Sequence, residues 1–73
     1  MERLNLRQLE IFSAVVDAGS FTAAAEKLYL AQSTVSDNVR ALEELLHLKL
    51  FHRESKRRLT LTLEGKRVYR YAQ

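Results

Sequence analysis

QSTVSDNVRALEELL, residues Gln32 to Leu46, is the stretch whose reading decides the fold. Wound at about 100° per residue, it places Val35, Val39, Leu42 and Leu46 on one stripe, with Leu45 at its margin. Ser33, Ser36, Asp37 and Arg40 fall on the opposite side. The pattern predicts a helix with a buried back and a polar front. The chemistry of that front is unusual. Its N-terminal half carries short hydrogen-bonding side chains in place of the usual Lys/Glu solvent mixture, and the acids Glu43 and Glu44 come only later. Short side chains let a helix backbone approach another surface closely.

Two shorter helices are predicted upstream. Asn5 followed by Gln8 has the form of a capping box, after which Leu6, Leu9, Phe12, Val15 and Val16 recur at helical spacing until Gly19 supplies a left-handed stop. This gives a first helix over about residues 6–18, with an apolar stripe that reads as core. Arg7 in its first turn is poorly matched to the helix dipole, so it is either tolerated on the surface or used on an anion. Ser20 is placed to cap a second helix from Phe21 to about Leu28, with Phe21, Ala24, Ala25 and Leu28 facing inward. The run Ala23-Ala24-Ala25 permits a close helix crossing, as a helix-turn-helix pair demands. The amides at the start of this helix, with the hydroxyls of Ser20 and Thr22, form a ready phosphate site, although capping alone explains Ser20 equally well. Tyr29-Leu30-Ala31 makes the turn into the third helix, with Leu30 as its buried hinge.

Downstream the period changes. Leu48 and Leu50, then Leu59 and Leu61, alternate with polar or basic residues, which is the period of strands, and His52-Arg53-Glu54-Ser55-Lys56-Arg57-Arg58 lies between them. A short hairpin with a basic tip is predicted, a wing able to reach a phosphate backbone or a minor groove. Its plainer reading is a solvated loop. From Thr62 the pattern turns helical again: Thr62 caps, Glu64 suits the first turn, and Leu63, Val68, Tyr69 and Ala72 form an apolar row. That row runs to the last residues, which suggests either a piece of a longer chain or packing against a second copy. Gly65 costs helix stability by about 1 kcal/mol relative to Ala, and its presence points to the close approach of another backbone.

Seventy-three residues form one small domain, which buries roughly 60% of its unfolded surface and has little room for a deep enzyme pocket. Without cysteine there is no disulfide framework or Cys-based zinc site, and His47 and His52 alone make no metal site. No apolar run approaches the roughly 20 residues of a membrane span and no signal-peptide core opens the chain, so a soluble, cytoplasmic protein without cofactor is expected. The net charge of +3 is unevenly placed. Residues 1–48 hold four basic and seven acidic side chains, a net of −3, and residues 49–73 hold eight basic and two acidic, a net of +6. A segment this basic favours a polyanion, the alternative being a solvated face.

The series LRQLEIF at 6–12, GSFTAAAEKL at 19–28, AQSTVS at 31–36, RALEE at 40–44, LFHR at 50–53 and LTLEG at 61–65 resembles the N-terminal DNA-binding domain of LysR-type transcriptional regulators. The match runs in order through nearly the whole chain. The resemblance implies a mostly α fold: a winged helix-turn-helix with a three-helix core and a small two-stranded β wing over residues 1–61, then the start of a linker helix at 62–73 that pairs two subunits. It implies double-stranded DNA and a second copy as partners. A small-molecule effector is expected only in a C-terminal domain absent from this sequence.

Carried over residue by residue, the family's major-groove readers match Gln32, Ser33, Thr34, Ser36 and Asp37, its wing arginine matches Arg53, and positions that often touch phosphate match Arg7, Ser20 and Thr22. The polar face of the third helix adds Arg40 as a phosphate contact, and the wing cations Lys56, Arg57 and Arg58 join it; Asn38 lies on the flank. The linker helix offers Leu63, Val68, Tyr69 and Ala72 for pairing. Three positions depart from the family pattern. Ser33 stands where proline is frequent and supplies a hydroxyl to cap the third helix in place of the usual serine, here Ala31. His47 stands where glycine commonly ends that helix. Asp37 replaces a basic or amide side chain: it either accepts from a cytosine N4 amine or pairs with Arg40 or Lys27 and orients the cation.

The leading expectation is therefore a dimeric, sequence-specific DNA-binding domain and not an enzyme, since no nucleophile–base–orienter set is present. A helical protein-interaction module with a basic tail is the alternative class, and it predicts binding indifferent to nucleotide sequence. RNA binding finds no stacking sheet, because Phe12, Phe21 and Phe51 read as buried.

Overall fold

The computed structural model describes residues 5–52 and 59–72. Six elements follow in chain order: α1 (Leu6–Ala18), α2 (Phe21–Leu28), α3 (Gln32–Leu46), β1 (Phe51–His52), β2 (Thr60–Leu61) and α4 (Leu63–Ala72). The first three helices pack on one another, α4 lies against α1, and the strands pair antiparallel with Phe51 opposite Leu61 and His52 opposite Thr60. This is the expected winged helix-turn-helix.

Local chemistry explains the helix bounds. The Asn5 side chain accepts from the Arg7 N–H at 2.8 Å, and Gly19, at φ 83°, returns its N–H to the Val15 carbonyl. The capping box is only half made, because Gln8 Oε1 is buried and has no partner among the described residues. Ser20 Oγ accepts from the Ala23 N–H at 3.0 Å and starts α2. Both α2 and α3 end in Schellman turns closed by a left-handed residue other than glycine: Tyr29 at φ 59° and His47 at φ 57°. At α3 the His47 N–H reaches the Glu44 carbonyl and the Leu48 N–H the Glu43 carbonyl.

The left-handed conformation costs a residue with a Cβ about 1–2 kcal/mol, against the roughly 0.4–1 kcal/mol that glycine loses through its freer unfolded chain. His47→Gly is accordingly expected to stabilise the fold, raising the melting temperature by about 2–8 °C, as a thermal scan followed by circular dichroism would read. A fall in melting temperature would mean that the imidazole makes a contact worth more than the backbone strain.

The core lies where α1, α2 and α3 meet. Phe12, Val15, Ala24, Val35, Val39, Leu42 and Leu50 are fully buried. Each large apolar side chain among them contributes about 1.5–3 kcal/mol by leaving water. Ala24 and Ala25 give the close crossing that the alanine run predicts, and Leu30 is half-buried at the turn. Phe51 closes the core from the wing side, its ring centroid 5.5 Å from Phe12 and 5.6 Å from Phe21.

Three expectations need correction. The strands are shorter than the leucine alternation implied, since Leu48 is consumed by the turn that ends α3, and Leu50 and Phe51 are both buried although adjacent. Ser33 does not cap α3: the residue before the helix is Ala31, in extended conformation, and it makes no side-chain cap bond. Ser33 lies inside the first turn, where its own backbone is already helical. Glu43, grouped with Glu44 as an outer acid, is buried.

Candidate nucleic-acid interface

The front of α3 is built by its back. With Val35, Val39 and Leu42 buried, Ser33, Asp37, Arg40 and Glu44 recur at spacings of four, three and four residues, and all four are exposed. Gln32 and Thr34 are exposed beside them, and Ser36 is half-buried at the edge. The reading residues expected from the sequence are thus brought to one helix end. Asn38 turns away from that role, its Nδ2 donating to the Thr34 carbonyl at 2.8 Å.

Asp37 makes no ion pair with Arg40 or Lys27. Among the described residues the recorded salt bridge joins Arg7 Nη1 to Glu10 Oε1 at 3.8 Å, with both side chains exposed. That pair holds Arg7 only loosely, since an exposed ion pair at this distance contributes at most about 1 kcal/mol. Arg40 is exposed and extends from the same face as Asp37.

The two helix starts exchange the parts expected of them. At α2, proposed from sequence as a phosphate site, Ser20 is half-buried and already occupied by the Ala23 amide, leaving exposed Thr22 as the free hydroxyl. At α3 no side chain caps the first turn, so its amides stay open to an outside acceptor such as a phosphate oxygen.

The wing is described at its base. Phe51 faces the core while His52 and Thr60 face outward. Arg53, Lys56, Arg57 and Arg58 lie outside the described residues. On α4, Val68, Tyr69 and Ala72 pack against this chain's own core, and the Tyr69 hydroxyl donates to Asp17 Oδ1 on α1. Leu63 is 63% exposed and Tyr71 76%. The predicted apolar row therefore divides, three members turning inward and Leu63 outward.

Glu43 is a further candidate, a buried acid that apolar periodicity does not single out. Its carboxylate accepts from the Leu50 N–H at 2.8 Å, just before β1. The signal was present in the spacing, because Glu43 sits four residues after Val39 and three before Leu46, at the margin of the buried stripe. Thr62 is the other buried polar side chain among the described residues, and it meets the same segment: its hydroxyl donates to the Lys49 carbonyl and its N–H to the Leu50 carbonyl.

A helix-turn-helix whose second helix presents a short-armed polar end beside a winged hairpin defines a winged helix-turn-helix DNA-binding domain. Residues 6–66 match the model of bacterial regulatory helix-turn-helix proteins of the lysR family. The chain belongs to that family. It is 45% identical over 69 residues to the RuBisCO operon transcriptional regulator of Allochromatium vinosum, covering 94% of this chain and 22% of that protein. It is 44% identical to the transcriptional activator protein LysR of Escherichia coli (strain K12), covering 100% of this chain and 23% of the relative. The chain thus spans less than a quarter of the length of these curated relatives. Among solved structures it superposes on the BenM DNA-binding domain in complex with catB site 1 DNA with a TM-score of 0.89, at 45% identity over 94% of this chain and 76% of that one.

Proposed function

We propose that this chain binds double-stranded DNA sequence-specifically as the operator-reading part of a bacterial transcriptional regulator, with the start of α3 in the major groove. The observation that carries the reading is the uncapped, exposed end of α3 formed by Gln32, Ser33, Thr34 and Asp37 over the buried Val35, Val39 and Leu42. The Gln32 amide suits the paired donor and acceptor of an adenine edge, and the hydroxyls of Ser33, Thr34 and Ser36 serve either polarity. Arg7, Thr22, Arg40 and the backbone at Ser20 contact phosphate on either side. The wing cations Arg53, Lys56, Arg57 and Arg58 extend that contact to the neighbouring backbone or minor groove.

Asp37 reads a cytosine in this proposal. An exposed carboxylate without a cation partner, held among phosphates, costs affinity unless it accepts a hydrogen bond from the base edge, and the N4 amine of cytosine is the donor that the major groove provides. Two copies pair through α4, the start of a linker helix. Leu63 and Tyr71, with Leu6 at 75% exposure on α1, supply the apolar surface that supports pairing, while Val68, Tyr69 and Ala72 brace it from within. Effector binding falls outside residues 1–73, and the site of action is the cytoplasm, where the DNA is.

Fluorescence anisotropy on duplexes from the region upstream of the protein's own gene, against scrambled duplexes over a salt series, tests this. The genuine site is expected to bind tighter by roughly a hundredfold or more. Equal affinity for both at every salt concentration overturns specific recognition. Asp37→Asn and Asp37→Ala are expected to lose about 1–3 kcal/mol of preference at one cytosine position, tracked with single-base variants of the bound half-site. An unchanged base preference in both variants would remove Asp37 from the readers.

A further inference from the structure

We propose that Glu43 is a positioning residue for the wing: from inside the recognition helix its buried carboxylate fixes where the hairpin leaves the core, and so where the wing cations meet DNA. The proposal rests on the DNA-binding reading above and adds a residue to it.

Among the described residues, Glu43 holds the chain after α3 at two points. Its main-chain carbonyl takes the Leu48 N–H at 3.1 Å, and its carboxylate takes the Leu50 N–H at 2.8 Å. Burying a glutamate that is only 4% exposed is expensive, and the charge-assisted bond from the Leu50 N–H offsets part of that cost. A leucine at this position would fill the space but leave the Leu50 N–H unpaired, so the acid does something that an apolar side chain does not.

The held residue is the junction of the wing. Leu50 precedes β1 directly, and its carbonyl accepts from the Thr62 N–H at 3.0 Å where β2 passes into α4. The first hairpin pair, Phe51 with Leu61, follows from that closure. The path from reading face to wing is therefore short and made of fixed bonds: Glu43 in the last turn of α3, the Leu50 main chain, then both strands. Arg53 is the next residue in sequence after β1. Releasing the Leu50 N–H removes the side-chain tie between α3 and the base of the hairpin while leaving Val35, Val39 and Leu42, which hold α3, in place.

The test is a double-mutant cycle read by anisotropy on a random-sequence duplex over a salt series. Random-sequence DNA isolates the phosphate contacts, whose number sets the slope of log affinity against log salt at roughly 0.9 per contact. Glu43→Met keeps the volume and removes the acceptor; Glu43→Gln keeps a neutral acceptor. The wing is neutralised by K56A/R57A/R58A, and the folded fraction of each variant is fixed by circular dichroism.

In the wild-type background Glu43→Met is expected to lower the slope by about one to three contacts, with Glu43→Gln lowering it less. In the wing-neutralised background neither variant is expected to change it further. Losses that persist undiminished in that background, or an unchanged slope in the wild-type background, overturn the proposal and leave Glu43 a stabilising cap. Should Glu43→Met fail to fold, the same two outcomes are read from Glu43→Gln. Wild-type protein that binds no duplex at all overturns the DNA-binding reading itself, which is a different failure.

Discussion

Gly65→Ala is expected to destabilise the domain by about 2–3 kcal/mol, because a clash with main chain puts the overpacking cost at about 3–4 kcal/mol, above its usual range, less about 1 kcal/mol gained in helix propensity. A Cβ at this position would stand 2.1 Å from the Leu50 carbonyl oxygen and 2.9 Å from a methyl of Leu61. The carbonyl is main chain and already accepts from the Thr62 N–H, so it has nowhere to retreat without opening the start of α4. The Gly65 N–H itself donates to Thr62 Oγ1 at 2.8 Å, so a shift of the helix to relieve the clash breaks its own cap. For a domain this small the loss corresponds to a fall in melting temperature of roughly 10–20 °C. A fall of only a degree or two would show that α4 can slide away from Leu50 freely, contradicting the packing described above.

Phe51→Ala carries a still larger expected loss, about 3–5 kcal/mol, typical of deleting a buried phenylalanine. The ring is 3% exposed and bridges Phe12 of α1 and Phe21 of α2. Total stability for 73 residues is on the order of 4–11 kcal/mol, so this one truncation removes a large share of it. Urea denaturation followed by circular dichroism would read the loss as a lower midpoint, with a shortened or missing native baseline. A loss below about 1 kcal/mol would mean that the site collapses around the alanine, and that the wing is attached by its main chain alone.

The contrast between these residues shows how far the sequence could be read. Helix bounds were legible because they are set locally: Asn5, Ser20 and Gly19 act within one turn of themselves, and the apolar spacing of Val35, Val39 and Leu42 repeats often enough to define a face. Gly65 was legible as a close approach, but its partner was not, since Leu50 is fifteen residues away and the contact exists only after the hairpin closes. The same holds for Thr62, read as a cap and found also to bind Lys49 and Leu50.

At the interface, the presented stripe of α3 followed from periodicity, whereas what fails to pair did not. Spacing places Asp37 within reach of Arg40, and only the side-chain arrangement separates them. Glu43 marks the opposite case. A carboxylate is assigned to solvent by its charge, whereas Glu43 lies inside and accepts from the main-chain N–H of Leu50, seven residues away. The apolar row of α4 holds for Val68, Tyr69 and Ala72 but not for exposed Leu63, and the inward three turn toward α1, whose Asp17 claims Tyr69 across a separation of 52 residues.

The junction between wing and final helix has a mechanical meaning. One residue, Thr62, separates the end of β2 from the start of α4, and its N–H, hydroxyl and carbonyl are all engaged. There is no slack there for a hinge. A rotation at the start of α4 must therefore carry Lys49 and Leu50 with it or break the bonds of Thr62, and Leu50 is bonded in turn to Glu43 in the last turn of α3. In a regulator, such a coupling would let subunit geometry set the angle at which the DNA is met, with no flexible joint in between.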